Sequence, residues 1–182
     1  YRGPQVVDRV SIHSGRTFER IREHERYESE SFGSCAVDIG DVDSDGVPDY
    51  AVGGGGLRPN AETGAAGRVV LYSGRSGKAL RTIRGEERGD NFGFTLRAIH
   101  GHRLAIGSPA RENHSHGLVR MVSTKTGATL WQVEGGSMSL FGYSLDASGE
   151  RIIVGAPASS PCGRSAGSIR VLDAVDGSTL FE

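Results

Sequence analysis

The chain has 182 residues, which is enough for one sizeable domain with its own hydrophobic core. Its net charge of -1 gives no electrostatic reason to expect nucleic acid or an anionic membrane surface as a partner. No apolar run approaches the ~20 residues of a membrane span, so membrane insertion by this chain is not expected. No basic-then-apolar stretch marks a signal peptide.

The first segment, residues 1–31, matches the second half of a unit that recurs three times further along the chain. Residues 9–15 align with residues 68–74 and predict a third strand, and residues 18–21 align with a fourth strand. The charged stretch 19–31 is interpreted as an exposed outer strand and loop and not as a helix. Charged side chains commonly protect the edge of a sheet.

An acidic loop follows, with the sequence Asp41-Val42-Asp43-Ser44-Asp45-Gly46-Val47-Pro48-Asp49. Carboxylates occupy loop positions 1, 3, 5 and 9, and the glycine at position 6 permits a sharp turn. Calcium takes about six to eight oxygen ligands, and carboxylates this close repel one another without a cation. The backbone carbonyl of Val47 can add an oxygen. Val52 stands where an EF-hand carries Glu, which excludes an ordinary EF-hand, and a solvated acidic turn is the alternative.

Three units of similar length follow the first segment, and each begins with Phe-Gly, at residues 32–33, 92–93 and 141–142. The third strand of each unit follows a glycine, at positions 67, 117 and 167. Short strands with regular turns and no helical pattern predict an all-β fold. Four strands in a unit of about 50 residues predict a β-propeller blade that must stack on its neighbours.

The predicted strands are short and fall at corresponding places in the three units. First strands are predicted at 34–37, 94–96 and 143–145, second strands at 50–53, 104–107 and 152–155, third strands at 67–72, 117–122 and 167–172, and turns with fourth strands at 76–80, 126–131 and 176–181. The chain is thus predicted to be a single propeller domain or segment, made of a half repeat at 1–31 and full repeats at about 32–91, 92–140 and 141–182.

The Phe-Gly pairs, the acidic loop and the Gly-x-Pro runs at 107–109 and 155–157 together resemble the FG-GAP repeat. This repeat builds the seven-bladed β-propeller of integrin α subunits and of many bacterial extracellular proteins, and the resemblance covers about residues 6–181. It implies a calcium site formed by the first-to-second strand loop of a blade. Carried over to this chain, it implies the following ligands: Asp41, Asp43, Asp45, the Val47 carbonyl and Asp49.

The chain departs from the FG-GAP pattern in three places. Residues 53–56 are four glycines where Gly-Ala-Pro is expected. The second and third units replace the acidic loop by short hairpin connections at 100–103 and 148–151, so one calcium site is predicted and not three. Three and a half units also fall short of seven blades.

Other motifs are interpreted as structural. Arg88-Gly89-Asp90 matches the tripeptide that integrins recognise, but Asp90 is interpreted as a turn residue before Phe-Gly. The pairs His100/His102 and His114/His116 could contribute to a zinc site, but neither has a third ligand nearby, and they are interpreted as polar turns.

The remaining residues of interest are two cysteines and one tryptophan. Cys35 and Cys162 share no metal-type spacing, and two separate thiols are expected, with Cys35 buried on a strand. Trp131 lies in a Thr-Gly-x-x-Leu-Trp pattern that is similar to a structural motif of pyrroloquinoline quinone propellers, and it is expected to pack between blades.

The sequence therefore predicts a calcium-stabilised, extracellular or periplasmic binding module that presents loops to a protein or glycan partner. No nucleophile or general-base motif points to an enzyme. Two alternatives are an accessory propeller of a larger secreted hydrolase or phospholipase, and a purely structural chain that self-associates through its end blades. The step from fold to function rests on the family resemblance.

Overall fold

A computed structural model describes residues 8–26, 31–55, 66–87, 89–109, 116–160 and 166–182. Within these ranges the chain is all-β, and no helix is long and apolar enough to cross a membrane. The strands are β1 Asp8–His13, β2 Arg20–Arg26, β3 Ser31–Gly40, β4 Asp49–Gly55, β5 Arg68–Tyr72, β6 Ala79–Arg84, β7 Thr95–Ile99, β8 Arg103–Ser108, β9 Leu118–Ser123, β10 Thr129–Glu134, β11 Ser144–Ser148, β12 Arg151–Ala156, β13 Ser168–Asp173 and β14 Thr179–Phe181.

The strands form one two-stranded and three four-stranded antiparallel sheets. We name them the half blade (β1–β2), blade 1 (β3–β6), blade 2 (β7–β10) and blade 3 (β11–β14). In each blade consecutive strands are neighbours, so every blade is a simple meander. The predicted all-β architecture of four-stranded blades is confirmed.

The hydrophobic core lies between blades and not within one of them. Strand periodicity explains this arrangement, because successive side chains of a strand point to opposite faces of its sheet. In β4, Val52 packs in the cluster that also holds Val10 of the half blade, whereas Ala51 packs in the cluster shared with blade 2. A third cluster joins Ala105 of blade 2 to Ile152 of blade 3.

The three Phe-Gly pairs are equivalent elements of the core. The rings of Phe32, Phe92 and Phe141 are buried, each in a different one of the three clusters, as the repeat predicted. The following glycines have φ values of 92°, 88° and 86°. A Cβ on Gly93 would lie 2.6 Å from the Arg68 carbonyl oxygen of the preceding blade, so glycine is needed for both conformation and contact.

In blades 1 and 2 the glycine before the third strand is a second contact point between blades. Gly67 of blade 1 forms an isolated parallel bridge with Phe92, and Gly117 of blade 2 forms one with Phe141. A Cβ on either glycine would collide with the backbone oxygen of that phenylalanine. The 50-residue spacing of these glycines therefore reflects a repeated backbone approach.

Two arginines, the buried Arg120 and the half-buried Arg170, join neighbouring blades and were not predicted. Arg120 of β9 lies with its guanidinium carbon 5.0 Å from the centre of the Phe92 ring, and its Nη2 donates to Glu86 at 2.6 Å. Arg170 repeats the arrangement on β13, 4.8 Å from the Phe141 ring centre. Arg120 thus reaches back to the segment that enters its blade, whereas Arg170 donates to the carbonyl of Glu134, the last residue of β10 in the preceding blade.

Strand bounds differ from the predictions mainly at turns. Residues 18–21 were predicted as the fourth strand of the half blade, but this is wrong in part, because β2 begins only at Arg20. The amide of Phe18 donates to the Ser14 carbonyl and closes a turn that leaves the Phe18 side chain exposed. Strand β3 begins at Ser31 and not at the predicted residue 34, so it includes Phe32 and Gly33. Its pairing with β4 shifts in register between Phe32 and Cys35.

Trp131 takes the place that was predicted for it, between blades, whereas Cys35 lies on a strand as predicted but is half-buried and not buried. The half-buried Cys35 lies on β3 as a free thiol, and its Sγ donates to the Gly93 carbonyl at 3.2 Å. Trp131 packs against the core between blades 2 and 3 and donates its indole N–H to the Ala174 carbonyl. Cys162, Arg88 and His114 lie outside the described residues.

Candidate metal centre

The acidic loop connects β3 to β4 and brings three carboxylates together. Asp41, Asp43 and Asp49 each offer an oxygen, and these oxygens all lie within 4.8 Å of one another. The loop bends through residues of positive φ, Ser44 at 63° and Gly46 at 86°. The group could therefore hold a metal ion, and its hard oxygen donors suit Ca²⁺ or Mg²⁺ and not a soft metal.

Asp49 is the buried anchor of this group, with 1% of its surface exposed. Its Oδ2 accepts hydrogen bonds from the amides of Val42 at 2.8 Å and Asp43 at 3.3 Å. Its Oδ1 accepts from the amide of Gly74, in the turn between β5 and β6, at 2.9 Å. These bonds fix one carboxylate at the base of the loop and join the loop to the neighbouring turn.

The bond to Gly74 has a counterpart in the other blades. The amide of Thr124 donates to the His102 carbonyl in blade 2, and the amide of Ala174 donates to the Glu150 carbonyl in blade 3, each at 2.8 Å. In blade 1 the Asp49 carboxylate replaces a backbone carbonyl as acceptor. Asp49 thus has a structural role in the blade in addition to its place in the carboxylate group.

Asp41 closes the loop from its opposite end. Its two oxygens accept the amides of Asp45 at 3.0 Å and Gly46 at 2.9 Å. These backbone hydrogen bonds, with that from Gly46 the largest, lower the pKa of the Asp41 carboxyl below its ordinary value. Asp41 is therefore an anion whose remaining lone pairs are available to a cation.

Asp45 lies outside the group of three converging oxygens. Its Oδ1 accepts the Val47 amide at 2.9 Å, and its Oδ2 lies 3.4 Å from Nε of Arg75. Arg75 also donates to the Asp45 backbone carbonyl at 2.6 Å. The structure thus places Asp41, Asp43 and Asp49 together and turns Asp45 towards Arg75, while the roles of Asp45 and Val47 as ligands stay predictions.

Arg75 extends the contacts of the loop to the half blade. Its backbone carbonyl accepts a hydrogen bond from Nη2 of Arg22 at 3.1 Å. A continuous path therefore runs from Asp45 through Arg75 to β2. This role of Arg75 could not be predicted from the repeat, because Lys125 and Val175 occupy the corresponding turn positions in the other two blades.

The residues fit a hard cation on electrostatic grounds. Four carboxylates lie in one nine-residue loop, and among the described residues Arg75 forms an ion pair with it. One exposed guanidinium offsets only part of this negative charge, because its interaction is screened by solvent. A divalent cation would supply the remaining compensation at the oxygens of Asp41, Asp43 and Asp49.

In the described part of the chain, no second group of three or more ligating side chains is found. The corresponding connections in blades 2 and 3 are short turns, at 100–102 between β7 and β8 and at 149–150 between β11 and β12. His100 and His102 lie in the first of these turns without a third described ligand. Asp90 accepts the amide of Glu87 at 3.0 Å, as expected of a turn residue.

A concavity of ≈ 560 Å³ lies where the first strands of the three blades converge. The end of β3 contributes Gly40 to its lining, and the first-to-second strand connections of blades 2 and 3 contribute His100, His102 and Gly149. Arg97 also lines it and pairs with Asp146 at 2.6 Å. The acidic loop begins directly after Gly40, so the carboxylate group adjoins the blade end that carries this concavity.

No protein-family model matches the chain, and no curated protein matches its sequence. Solved structures do match the fold. Dihydro-heme d1 dehydrogenase NirN is 12% identical with a TM-score of 0.64 over 93% of this chain and 32% of that chain. The computationally designed Ika8 protein is 20% identical with a TM-score of 0.51, and the match covers 72% of this chain and 32% of that one.

A europium-containing methanol dehydrogenase is 9% identical with a TM-score of 0.53, and the match covers 73% of this chain and 22% of that chain. This chain therefore spans about a third or less of the length of the proteins it matches. At these identities the likeness concerns the fold alone. The described sheets and these structures define an all-β protein of the β-propeller type, with a carboxylate group that could hold a metal ion.

Proposed function

We propose that the chain is an FG-GAP-type propeller segment in which calcium stabilises blade 1, and that it acts as a binding module and not as an enzyme. The proposal is supported by the three equivalent Phe-Gly elements and by an acidic loop in the position that the FG-GAP resemblance implies. An extracellular or periplasmic location agrees with it, because calcium sites of extracellular modules work at affinities of ~10⁻⁴–10⁻³ M.

The observation that carries the calcium proposal is the convergence of Asp41 and Asp43 on the buried Asp49. Calcium tolerates irregular geometry and about six to eight oxygens, whereas magnesium demands a near-ideal octahedron. Asp45 and the Val47 carbonyl, both in the same loop, are the proposed sources of further oxygens. When bound, calcium would supply charge compensation and hold the loop in one conformation.

The proposed consequence for the fold is local. The loop contacts the β5–β6 turn through Asp49 and Gly74, and the half blade through Arg75 and Arg22. A cation that fixes the loop would therefore also fix these contacts. This is a structural role, in which the metal stabilises the end of blade 1 that faces the proposed partner.

The proposed partner is a protein or a glycan that contacts the concavity at the ends of the first strands. Asp38, Arg97, His100 and His102 supply both signs of charge and several hydrogen-bonding groups to its lining. His100 and His102 lie on a connecting segment, and such segments commonly carry the residues that bind a partner. The substitutions His100→Ala and His102→Ala should weaken partner binding without changing calcium affinity.

Isothermal titration calorimetry with Ca²⁺ tests the calcium proposal. One site per chain is expected for the native protein, and Asp43→Ala should weaken binding at least about tenfold, because it removes a charged ligand. The matched control is Asp146→Ala, which removes an exposed carboxylate outside the loop and should leave the affinity unchanged. Absence of calcium binding, or an equal loss in both variants, would overturn the proposal.

A further inference from the structure

The outward face of blade 3 differs from the same face of blades 1 and 2. Third-strand positions Val69 and Val119 are fully buried by the next blade, whereas the equivalent Ile169 is 63% exposed. On the second strand, Ala51 and Ala105 are fully buried, whereas the equivalent Ile153 is 44% exposed. Blade 3 therefore presents an apolar face that the repeat elsewhere covers.

The backbone contacts show what covers this face in the other blades. A Cβ on Gly53 would collide with the carbonyl oxygen of Gly93, and one on Gly107 with that of Gly142, so each meets the Phe-Gly pair of the next blade. Among the described residues, the three atoms nearest to a Cβ on the equivalent Gly155 all belong to Ser144 of its own blade. In the part of the chain that the structure describes, no carbonyl of a further blade lies over Gly155, in the place that Gly93 and Gly142 occupy at the other two blades.

A hydrogen-bond donor lies beside this place in every blade. The Cys35 thiol donates to the Gly93 carbonyl at 3.2 Å, and the Thr95 hydroxyl donates to the Gly142 carbonyl at 2.9 Å. Ser144 occupies the equivalent position of blade 3 and is exposed. Ser144, Gly155, Gly167 and Ile169 together line a depression of ≈ 500 Å³.

The exposed surface of the half blade, at the opposite end of the described chain, is largely polar, although Ile21 is 61% exposed. The half blade carries ion pairs on its exposed surface, from Arg9 to Glu25 at 2.6 Å and from Arg20 to Glu23 at 2.6 Å. A polar outer face is typical of a terminal repeat that caps a stack. The half blade is therefore poorly matched to the apolar face of blade 3, and all three Phe-Gly rings of the chain are already buried.

We propose that the outward face of blade 3 is the docking surface for a further blade of the same repeat, one that begins with Phe-Gly. The incoming glycine carbonyl accepts from Ser144 and lies over Gly155. The incoming phenylalanine packs on Ile153 and Ile169, as Phe92 and Phe141 pack in blades 1 and 2. The proposal rests on the fold and not on calcium binding.

The test adds such a blade and measures protection of the face. Glu182 aligns with Gln132, so a second copy of residues 133–182 placed after Glu182 continues the repeat in register. Ile169→Cys in the original blade 3, with Cys35→Ala and every Cys162→Ser, reports exposure by its rate of thiol labelling. We expect labelling at least about 100-fold slower in the extended protein than in the 182-residue chain.

The matched control is Val175→Cys, which is 64% exposed and aligns with the exposed Arg75 and Lys125. It should label rapidly with and without the added blade. Equal labelling of Cys at 169 and at 175 in the extended protein would overturn the proposal. The proposal would also be overturned if labelling of Ile169→Cys in the 182-residue chain slowed as the protein concentration rose. A second copy of the chain would then cover the face of blade 3.

A second measurement needs no added blade. Gly53→Ala should lower the melting temperature of the 182-residue chain by about 5 °C or more, whereas Gly155→Ala should change it by about 1 °C or less, because only Ser144 must move. In the extended protein Gly155→Ala should become as costly as Gly53→Ala. Equal losses for both variants in the 182-residue chain would contradict an open place at Gly155.

Discussion

Gly93 of blade 2 lies so close to Gly53 of blade 1 that a Cβ on Gly53 would collide with the Gly93 carbonyl oxygen. Gly53→Ala should therefore cost about 1–3 kcal/mol in free energy of unfolding, because backbone must move to relieve the collision. Urea denaturation measures the change. Gly15→Ala is the control, because no atom lies within 4 Å of its added Cβ, and a loss equal to that of the control would refute the contact.

Phe92 should be a principal contributor to stability. Its ring is 1% exposed and packs between blades 1 and 2. Phe92→Ala should cost about 3–5 kcal/mol, from lost burial and the remaining cavity. Phe18→Ala, at an 80% exposed position, should stay within about 0.5 kcal/mol of the native protein in the same denaturation experiment. Similar losses at both positions would be inconsistent with a core between blades.

Arg120 should stabilise the contact between blades 1 and 2. Its side chain is 5% exposed, lies over Phe92, and bonds to Glu86 and Gln132. Arg120→Met keeps an apolar stem but removes the charge-assisted bonds, and should cost about 1.5–3 kcal/mol. Lys125→Met, at an exposed turn position, is the control. An unchanged unfolding midpoint for Arg120→Met would show that packing alone holds this contact.

Cys35 should cause the free energy of unfolding to decrease as the pH rises into the alkaline range. Burial raises the pKa of its thiol to about 11, from 9.0 in an exposed thiol. The folded state therefore favours the neutral thiol, and this stability is present below pH 9 and lost as pH rises towards 11. The loss should be smaller in Cys35→Ala. Urea midpoints of both proteins between pH 8 and 11 test this, and parallel curves would contradict it.

Much of the fold could be predicted because the same backbone positions in each repeat require the same residues. Phe-Gly marks a buried ring followed by a residue of positive φ, and Gly67 and Gly117 mark close approaches between blades. The glycines before the third strands recur every 50 residues, and a Phe-Gly pair begins each unit, so both signals are visible in one sequence. The start of β2 was harder to place, because a turn ending at Phe18 and a strand starting there have similar composition.

The candidate site could be predicted only in outline. The spacing of Asp41, Asp43 and Asp49 indicated a common oxygen cluster, and the structure brings these three together. The contact of Asp45 with Arg75 could not be predicted, because it joins two loops 30 residues apart and has no equivalent in the other blades. Arg120 and Arg170 were missed for a similar reason, since long side chains reach partners that strand periodicity does not specify.

Differential scanning calorimetry with and without calcium tests the central claim most directly. At a calcium concentration about 100 times the dissociation constant, binding should add about 2.7 kcal/mol and raise the melting temperature by about 5–10 °C over the protein in chelator. The double variant Asp43→Ala, Asp45→Ala should melt at the same temperature in both conditions. Equal melting of the native protein in calcium and in chelator would show that the acidic loop is not a calcium site.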